Sequence, residues 1–441
     1  MLTRRSLLQA LLAPRRERCN IVLVTADNLG YGDLGCYGNT EIDTSNFDRF
    51  AASGTRFTNF YTASPTCTAS RAGLLTGRHP VRYRLNYQLS AQENKSGIGL
   101  PHSEQIIPQY LKPCGYATGC FGKWNLGWAP GSRPTERGFD EFFGHRSGNI
   151  DYYTHLYNGD LDLYRGTEPA DVEGYSTDLF AGEAISFVHK NRARPFFLYL
   201  PFNAPHYPNP ANVRPGETNQ WQAPDRWFAH YGYSPREPDP VKRFRAVVTA
   251  LDDAFGRVLQ ALREAGLEPN TLIFFYSDNG AFMLPGRGLE VQTNRPLRGG
   301  GVTLWEGGIR VAGMARWPGR IPRGSTCPAL LSAFDVLPLA ARAAGATLPG
   351  DRPFDGMDPS RALRTGKGGH GRLFFEWQKQ QAMRSGEWKL IRTSVTGPWQ
   401  LYQLSRDAGE EQDVSAQNGD VVSRLAKDFL SWRNALPPSG R

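Results

Sequence analysis

Short, unbroken apolar runs that stop at polar pairs are the clearest pattern along the chain. Cys19-Asn20-Ile21-Val22-Leu23-Val24-Thr25-Ala26 is rich in β-branched residues and ends at Asp27-Asn28. Pro195-Phe196-Phe197-Leu198-Tyr199-Leu200 has the same character, as does Thr271-Leu272-Ile273-Phe274-Phe275-Tyr276-Ser277, which runs into Asp278-Asn279. Such runs predict strands buried on both faces. Between them the apolar spacing changes to three and four. Val247, Leu251, Phe255, Val258 and Leu262 share one face of a helix that Gly266 stops, and similar patterns cover 105–111 and 179–188. Strands alternating with helices predict a doubly wound α/β sheet. Ligands of such sheets bind beyond the carboxyl ends of the strands, which is where the two Asp-Asn pairs fall.

A second region follows a Gly-, Pro- and Arg-rich stretch over 350–371, which reads as a linker. Segments 372–377, 381–384, 388–392 and 399–404 are strand-like, separated by Ser385-Gly386 and Thr396-Gly397-Pro398 turns. Val421, Leu425, Phe429 and Trp432 then mark one face of a closing helix. The expected organisation is a tail or export signal over 1–18, a catalytic α/β domain over 19–349, the linker, and a small antiparallel sheet with one helix over 372–441. Thr3-Arg4-Arg5-Ser6-Leu7-Leu8 resembles a twin-arginine export signal, although its apolar stretch of Leu7 to Ala13 is short before Pro14-Arg15-Arg16. A periplasmic or secreted protein is the expectation, with a cytoplasmic tail as the alternative.

Composition narrows the classes. With 441 residues, 40% hydrophobic and 12% aromatic, the chain has ample material for a large core, which excludes disorder as the main state. No apolar run approaches the ~20 residues of a membrane span. Lysine and arginine total 51 against 42 acidic residues, a net charge of +9 that favours anionic partners. No nucleic-acid-binding motif accompanies that charge, so nucleic acid is not expected. The six cysteines lack zinc-site spacing, and Cys114 and Cys120 are either free thiols or one disulfide.

Asp and Asn oxygens at strand ends suit a hard cation such as Ca²⁺ or Mg²⁺, whereas zinc would want His or Cys. Each pair alone is equally a turn signal. Cys67-Thr68-Ala69-Ser70-Arg71-Ala72-Gly73-Leu74-Leu75-Thr76-Gly77-Arg78 changes the weighting. A cysteine ahead of an arginine at a helix start is a candidate thiolate nucleophile. The string, however, resembles the sulfatase signature, in which the cysteine is oxidised to formylglycine (3-oxoalanine) by a formylglycine-generating or an anaerobic sulfatase-maturating enzyme. The hydrated aldehyde is that family's nucleophile.

The resemblance continues in order along the chain. Leu23 to Gly38 is similar to the family's first metal-binding loop, and Phe121-Gly122-Lys123-Trp124 to its substrate-binding Gly-Lys-Trp motif. Asn203-Ala204-Pro205-His206 resembles the segment carrying its catalytic histidine, and Tyr276 to Gly280 its second metal motif. Leu297 to Arg310 resembles its Arg-Gly-Gly…Trp-Glu-Gly-Gly segment, and Met383 to Lys389 its C-terminal subdomain. The resemblance implies an alkaline-phosphatase-like fold, a large mixed β-sheet flanked by helices plus a small C-terminal antiparallel sheet with one helix. It implies Ca²⁺ held by Asp27, Asn28, Asp278, Asn279 and the modified Cys67, with Cys67, Arg71, Lys123 and His206 catalytic. Substrate contacts fall to Lys123, Asn125, His206 and, as a local replacement for a lost lysine, Arg298. The implied reaction is release of sulfate from a sulfated carbohydrate or aryl ester. Phosphodiester or phosphonate hydrolysis on the same scaffold, and non-catalytic binding of sulfated glycans, are the alternatives.

Three positions depart from the family pattern. Asn28 stands where Asp is usual, Asn125 where His follows Gly-Lys-Trp, and Gly301 where Lys follows Arg-Gly-Gly. Asn28 keeps an oxygen donor and loses a negative charge; Gly301 loses a positive one, so the formal charge available to hold an anion is unchanged. Asn125 can hold a hydroxyl but cannot take its proton at neutral pH. Of the eight histidines only His206 lies in a matching motif. The others, His145 among them, read as surface or core residues, with His155 an outside candidate for substrate contact. The aromatic run 151–157 suits sugar stacking or core packing alike, and Trp305-Glu306 reads as structural.

Overall fold

A computed structural model describes residues 18–90, 93, 96–209, 220–283 and 290–438. The export-signal motif lies outside the described residues.

Ten strands build the main sheet. In chain order they are β1 (Asn20–Ala26), β2 (Thr55–Phe57), β3 (Ala117–Lys123), β4 (Glu141–His145), β5 (Tyr164–Arg165), β6 (Glu168–Pro169), β7 (Phe196–Pro201), β8 (Thr271–Ser277), β9 (Gly313–Arg316) and β10 (Ser325–Cys327). They lie side by side as β10-β2-β9-β8-β1-β7-β3-β4-β5-β6. The central five, β8 to β4, are all parallel, while β9 and β5 run antiparallel to them. The sheet is therefore mixed, with its apolar strands in the doubly covered middle.

The alternation within β1 explains that burial. Val22 and Val24 feed one core and Ile21 and Leu23 the other. The main helices are α1 (Cys67–Thr76), α2 (Ser176–Lys190), α3 (Pro240–Glu264), α4 (Val336–Ala344) and α5 (Gly419–Asn434). Helices α2 and α3 cover the first face with Phe180, Ala184, Val247, Leu251 and Phe255. Helices α1 and α4 cover the second with Leu74, Leu75, Leu337 and Ala340. No helix among the described residues is long and apolar enough to cross a membrane.

The C-terminal region is a four-stranded antiparallel sheet of β11 (Arg372–Trp377), β12 (Gln380–Ser385), β13 (Trp388–Arg392) and β14 (Gln400–Gln403). Leu425 and Phe429 of α5 pack on Met383, Leu390 and Leu401 of one face. The other face sets Phe375, Ala382, Ile391 and Tyr402 against Tyr61, Leu304 and Ile309 of the main domain. Within 350–371 a short helix, Ser360–Thr365, buries Ala362 and Leu363 in the second core, so the segment is packed along the domain rather than strung between the sheets. All six cysteines are unpaired, which settles Cys114 and Cys120 as free thiols.

Two parallel strands escaped the sequence reading. β3 and β4 carry Gly119, Gly122 and Gly144, which interrupt their apolar runs. The cause is close approach of neighbouring backbones. A Cβ on Gly122, at φ 131°, would sit 2.1 Å from the Pro201 carbonyl oxygen.

Candidate active site

The site is assembled at the carboxyl edge of the parallel strands. β1 delivers Asp27 and Asn28, β3 ends at Lys123, β7 leads to His206, and β8 delivers Asp278 and Asn279. Helix α1 begins at Cys67, and its 3.6-residue period places Cys67 and Arg71 on one face. All ten residues of α1 are buried, which puts a cysteine and an arginine deep beside the strand ends.

The charged groups interlock. Lys123 Nζ lies 2.6 Å from Asp27 Oδ2, and Arg71 Nη2 lies 2.7 Å from Asp278 Oδ2 and 3.9 Å from Asp27 Oδ1. Arg71 also donates to the Lys123 carbonyl oxygen at 3.1 Å. All four side chains are fully buried. Burial, the largest single influence, would lower the Lys123 ammonium, but Asp27 together with the other negative neighbours outweighs it and the net shift is upward. The Asp278 carboxyl is raised, by burial first and by Asp27 second.

Oxygens converge on residue 67. Cys67 Sγ is 3.4 Å from Asp27 Oδ1 and 3.8 Å from Asn28 Oδ1, and one ligand atom each of Asp27, Cys67 and His206 fall within 4.8 Å of one another. The Asn28 amide N–H donates to Asp278 Oδ1 at 3.2 Å, and Asn279 Nδ2 to Asn28 Oδ1 at 2.5 Å. Asn28 (φ 63°) and Asn125 (φ 54°) both occupy the left-handed region, which asparagine tolerates better than most residues. The donor set of two carboxylates and two amides is all oxygen and fits a hard divalent cation such as Ca²⁺. Asn279 Oδ1 is buried without a hydrogen-bond partner, one more oxygen available to such an ion. The Cys67 thiol is the odd member of this set. Burial, then Asp27, raise its pKa, so its surroundings do not make it a thiolate.

His206 is 7% exposed, and its Nδ1 lies 2.6 Å from the Tyr207 carbonyl oxygen, an arrangement that assigns the proton to Nδ1 and leaves Nε2 free. Burial, then Lys123, push its imidazole down to about 3. Tyr152, from the aromatic run, stacks on Tyr175 and donates its hydroxyl to the His206 carbonyl oxygen at 2.8 Å. The run therefore packs and positions. His155 is likewise structural, 1% exposed with its ring nitrogen 3.1 Å from the Gly174 carbonyl oxygen.

One sequence expectation is corrected. Arg298 does not join the cluster: its guanidinium lies 3.8 Å over the Trp305 ring and donates to the Glu410 carbonyl oxygen at 2.7 Å, anchoring the C-terminal sheet. Gly301 leaves no vacancy either. A Cβ there would lie 1.9 Å from the Phe282 ring, which stands edge-on to His206 with centroids 6.0 Å apart. An aromatic ring holds the space next to the position where the family carries its lysine.

One group was missed. His145 ends β4 as the register partner of Lys123 on parallel β3, so both side chains leave the sheet on one face. It is fully buried, and neither ring nitrogen has a hydrogen-bond partner; both amide atoms of the fully buried Asn125 are equally unpartnered. Burial, then Lys123 and Arg71, hold the His145 imidazole well below its usual range, hence neutral. In sequence it is a lone histidine between Gly144 and Arg146; only the strand register places it.

Comparisons with known proteins identify the family. The profile of the family described as Sulfatase matches residues 19–346. N-acetylgalactosamine-6-sulfatase of Canis lupus familiaris is 34% identical over 444 residues, spanning 96% of this chain and 81% of that protein. Arylsulfatase A of Homo sapiens is 36% identical over 465 residues, spanning 93% of this chain and 86% of that protein. The solved structure of Ps i-CgsB in complex with k-i-k-neocarrahexaose superposes with a TM-score of 0.84 at 31% identity, over 94% of this chain and 93% of that one. A phosphonate monoester hydrolase of Agrobacterium radiobacter, at 20% identity and a TM-score of 0.66, shares the fold alone. The chain belongs to the sulfatase family.

Proposed function

We propose that this protein hydrolyses sulfate esters of a sulfated carbohydrate, with Ca²⁺ among Asp27, Asn28, Asp278 and Asn279 and a formylglycine made from Cys67 by a maturating enzyme. The observation that carries the reading is the buried all-oxygen cluster around residue 67, in which a thiol is chemically out of place and an oxygen would complete the set. The cation supplies charge neutralisation and the formylglycine an oxygen nucleophile.

The remaining work falls to ordinary side chains. Lys123 holds a sulfuryl oxygen, drawing on the charge it now shares with Asp27. Arg71 fixes Asp278 and the start of α1, so the metal carboxylate and the nucleophile stay in register. His206, held by its Nδ1–H bond to the Tyr207 carbonyl oxygen, presents a proton-free Nε2 that would take the hydroxyl proton of the nucleophile and return it to the departing alcohol. Asn125 holds a hydroxyl without taking its proton. The group assigned to that proton is the imidazole of His145, the register partner of Lys123.

The test is sulfate release from sulfated oligosaccharides and from an aryl sulfate, by protein produced with a maturating enzyme, set beside phosphate ester hydrolysis on the same preparation. Sulfate release that is lost in Cys67→Ala supports the proposal. Faster phosphate than sulfate turnover, or activity that survives in Cys67→Ala, contradicts it.

A further inference from the structure

The opposite edge of the same sheet carries a second cluster of positive charge. Two adjoining open cavities, of about 550 and 720 Å³, share Arg18 and Asn270 as a common wall. Arg192 and Arg194 line the first, and Arg320, Arg342 and Arg364 the second. Among the described residues, no acidic side chain lines either cavity. Arg342 is paired with Asp358 at 3.1 Å, and Arg194 donates to Asn191 Oδ1 at 3.0 Å. Arg320 lies over the Trp317 ring at 5.7 Å, and Arg18 donates to the Cys114 carbonyl oxygen. Among the described residues, Arg18, Arg192, Arg194, Arg320 and Arg364 have no carboxylate partner. All six arginines are exposed.

The cavities lie where the central strands begin. Arg18 and Asn20 open β1, Pro195 precedes β7, and Asn270 precedes β8. The catalytic cluster lies where these strands end. A seven-residue strand such as β1 spans about 20 Å, which separates the two sites by the thickness of the sheet along its strands. Six guanidinium groups, only Arg342 of them paired with a carboxylate among the described residues, are a large concentration of the positive excess of this chain. Guanidinium is weakly hydrated and matches planar pairs of anionic oxygens, so it suits sulfate better than ammonium does.

We propose that this arginine trough binds a sulfated polysaccharide, holding one part of the polyanion while the catalytic centre works on an ester elsewhere along it or on a neighbouring chain. The proposal rests on the sulfatase reading for its choice of ligand: a sulfated glycan keeps its other sulfates after one is removed, and a second contact raises the local concentration of the polymer without touching the reaction. Small esters are too short to use it.

Heparin serves as the probe, with the full chain as protein. Arg192→Glu combined with Arg320→Glu reverses one charge in each cavity at exposed positions, and an unchanged melting temperature confirms folding. The dissociation constant for heparin is expected to rise about tenfold or more, with a shallower dependence on salt. Turnover of a small aryl sulfate stays unchanged, while the apparent KM for a sulfated polysaccharide rises. Heparin affinity unchanged in the double variant overturns the proposal, as does duplex DNA binding the trough more tightly than heparin. Lys123→Ala separates the two readings: it removes sulfate release and leaves heparin binding intact. A parent that releases no sulfate but loses heparin through the arginine changes retains the trough and abandons the sulfatase reading.

Discussion

Two buried charge clusters sit on either side of the 297–310 loop, and they are built on opposite rules. In the first, Glu306, Lys389 and Glu410 are fully buried together with Tyr61, beside a nearly buried Arg384. Lys389 Nζ reaches Glu306 at 2.9 Å and Glu410 at 3.3 Å; Glu410 in turn accepts the Glu306 amide N–H at 2.7 Å. Tyr61 donates to Glu306, and Arg384 to the Tyr61 oxygen at 2.7 Å. None of these side chains is left with an unpartnered buried atom. In the second, around Cys67, the carboxylates are paired, yet Asn28 Nδ2, Asn279 Oδ1, both amide atoms of Asn125 and both ring nitrogens of His145 have no partner. A buried polar atom without a hydrogen bond is costly, so natural proteins keep few of them. The first network is complete and joins the C-terminal sheet to the main domain. The second is incomplete, and its open valences are those that the proposed metal, nucleophilic oxygen and substrate would fill.

The contrast is broken most severely through its lysines. Lys389→Met strands two carboxylates in the interior and is expected to cost about 3–5 kcal/mol of stability, seen as a lower denaturation midpoint together with detachment of the C-terminal sheet. A loss below 1 kcal/mol would mean the first network is not the joint described here. Lys123→Ala is the mirror case. Sulfate release should fall by roughly 10²–10³-fold in kcat, while the melting temperature in excess Ca²⁺ stays near that of the parent. Comparable losses in stability at both lysines would erase the distinction.

His145→Phe fills the space against Phe180, whose ring already lies 6.2 Å from the imidazole. Stability should hold or rise, because two unpartnered nitrogens are removed. Turnover should drop by about 10²-fold with KM little changed. Unchanged kcat would return His145 to the ordinary core.

A smaller effect concerns pH at the joint. His370 lies 2.7 Å from Asp335; burial alone would lower its imidazolium, but Asp335 outweighs it and the net shift is upward. Its stabilisation is therefore full below the unfolded value near 6.5 and is lost as pH rises through the higher folded value. His79 has the opposite sign: burial pushes it down to about 4, so stability is full above 6.5 and declines as pH falls toward 4. Melting temperature should peak between the two limbs. His370→Gln should flatten the alkaline limb, an effect of about 1 kcal/mol, and leave the acid limb in place.

Much of this was legible in the sequence, unevenly. The strands Thr271–Ser277 and Arg372–Trp377 and the long helix of the Val247–Leu262 pattern follow directly from apolar spacing, because each buries whole faces. Asp27, Asn28, Cys67, Lys123, His206, Asp278 and Asn279 stood in motifs with local spacing, and the fold brings them together. What stayed hidden depends on distant pairing. Glycines that let β3, β4 and β7 approach disguise two strands, and with them the position of His145 opposite Lys123. Arg298 looked like a substitute for the lost lysine, since sequence proximity to Gly301 says nothing of the Trp305 ring and the Glu410 carbonyl that claim it.

The central claim is that the oxygen-lined cluster is built for an oxygen nucleophile at position 67. The mass of the tryptic peptide Phe57–Arg71, from protein made in a host that matures sulfatases, tests it most directly. The account predicts an aldehyde in place of the Cys67 thiol, in a preparation that releases sulfate. An intact thiol in an active preparation would contradict it.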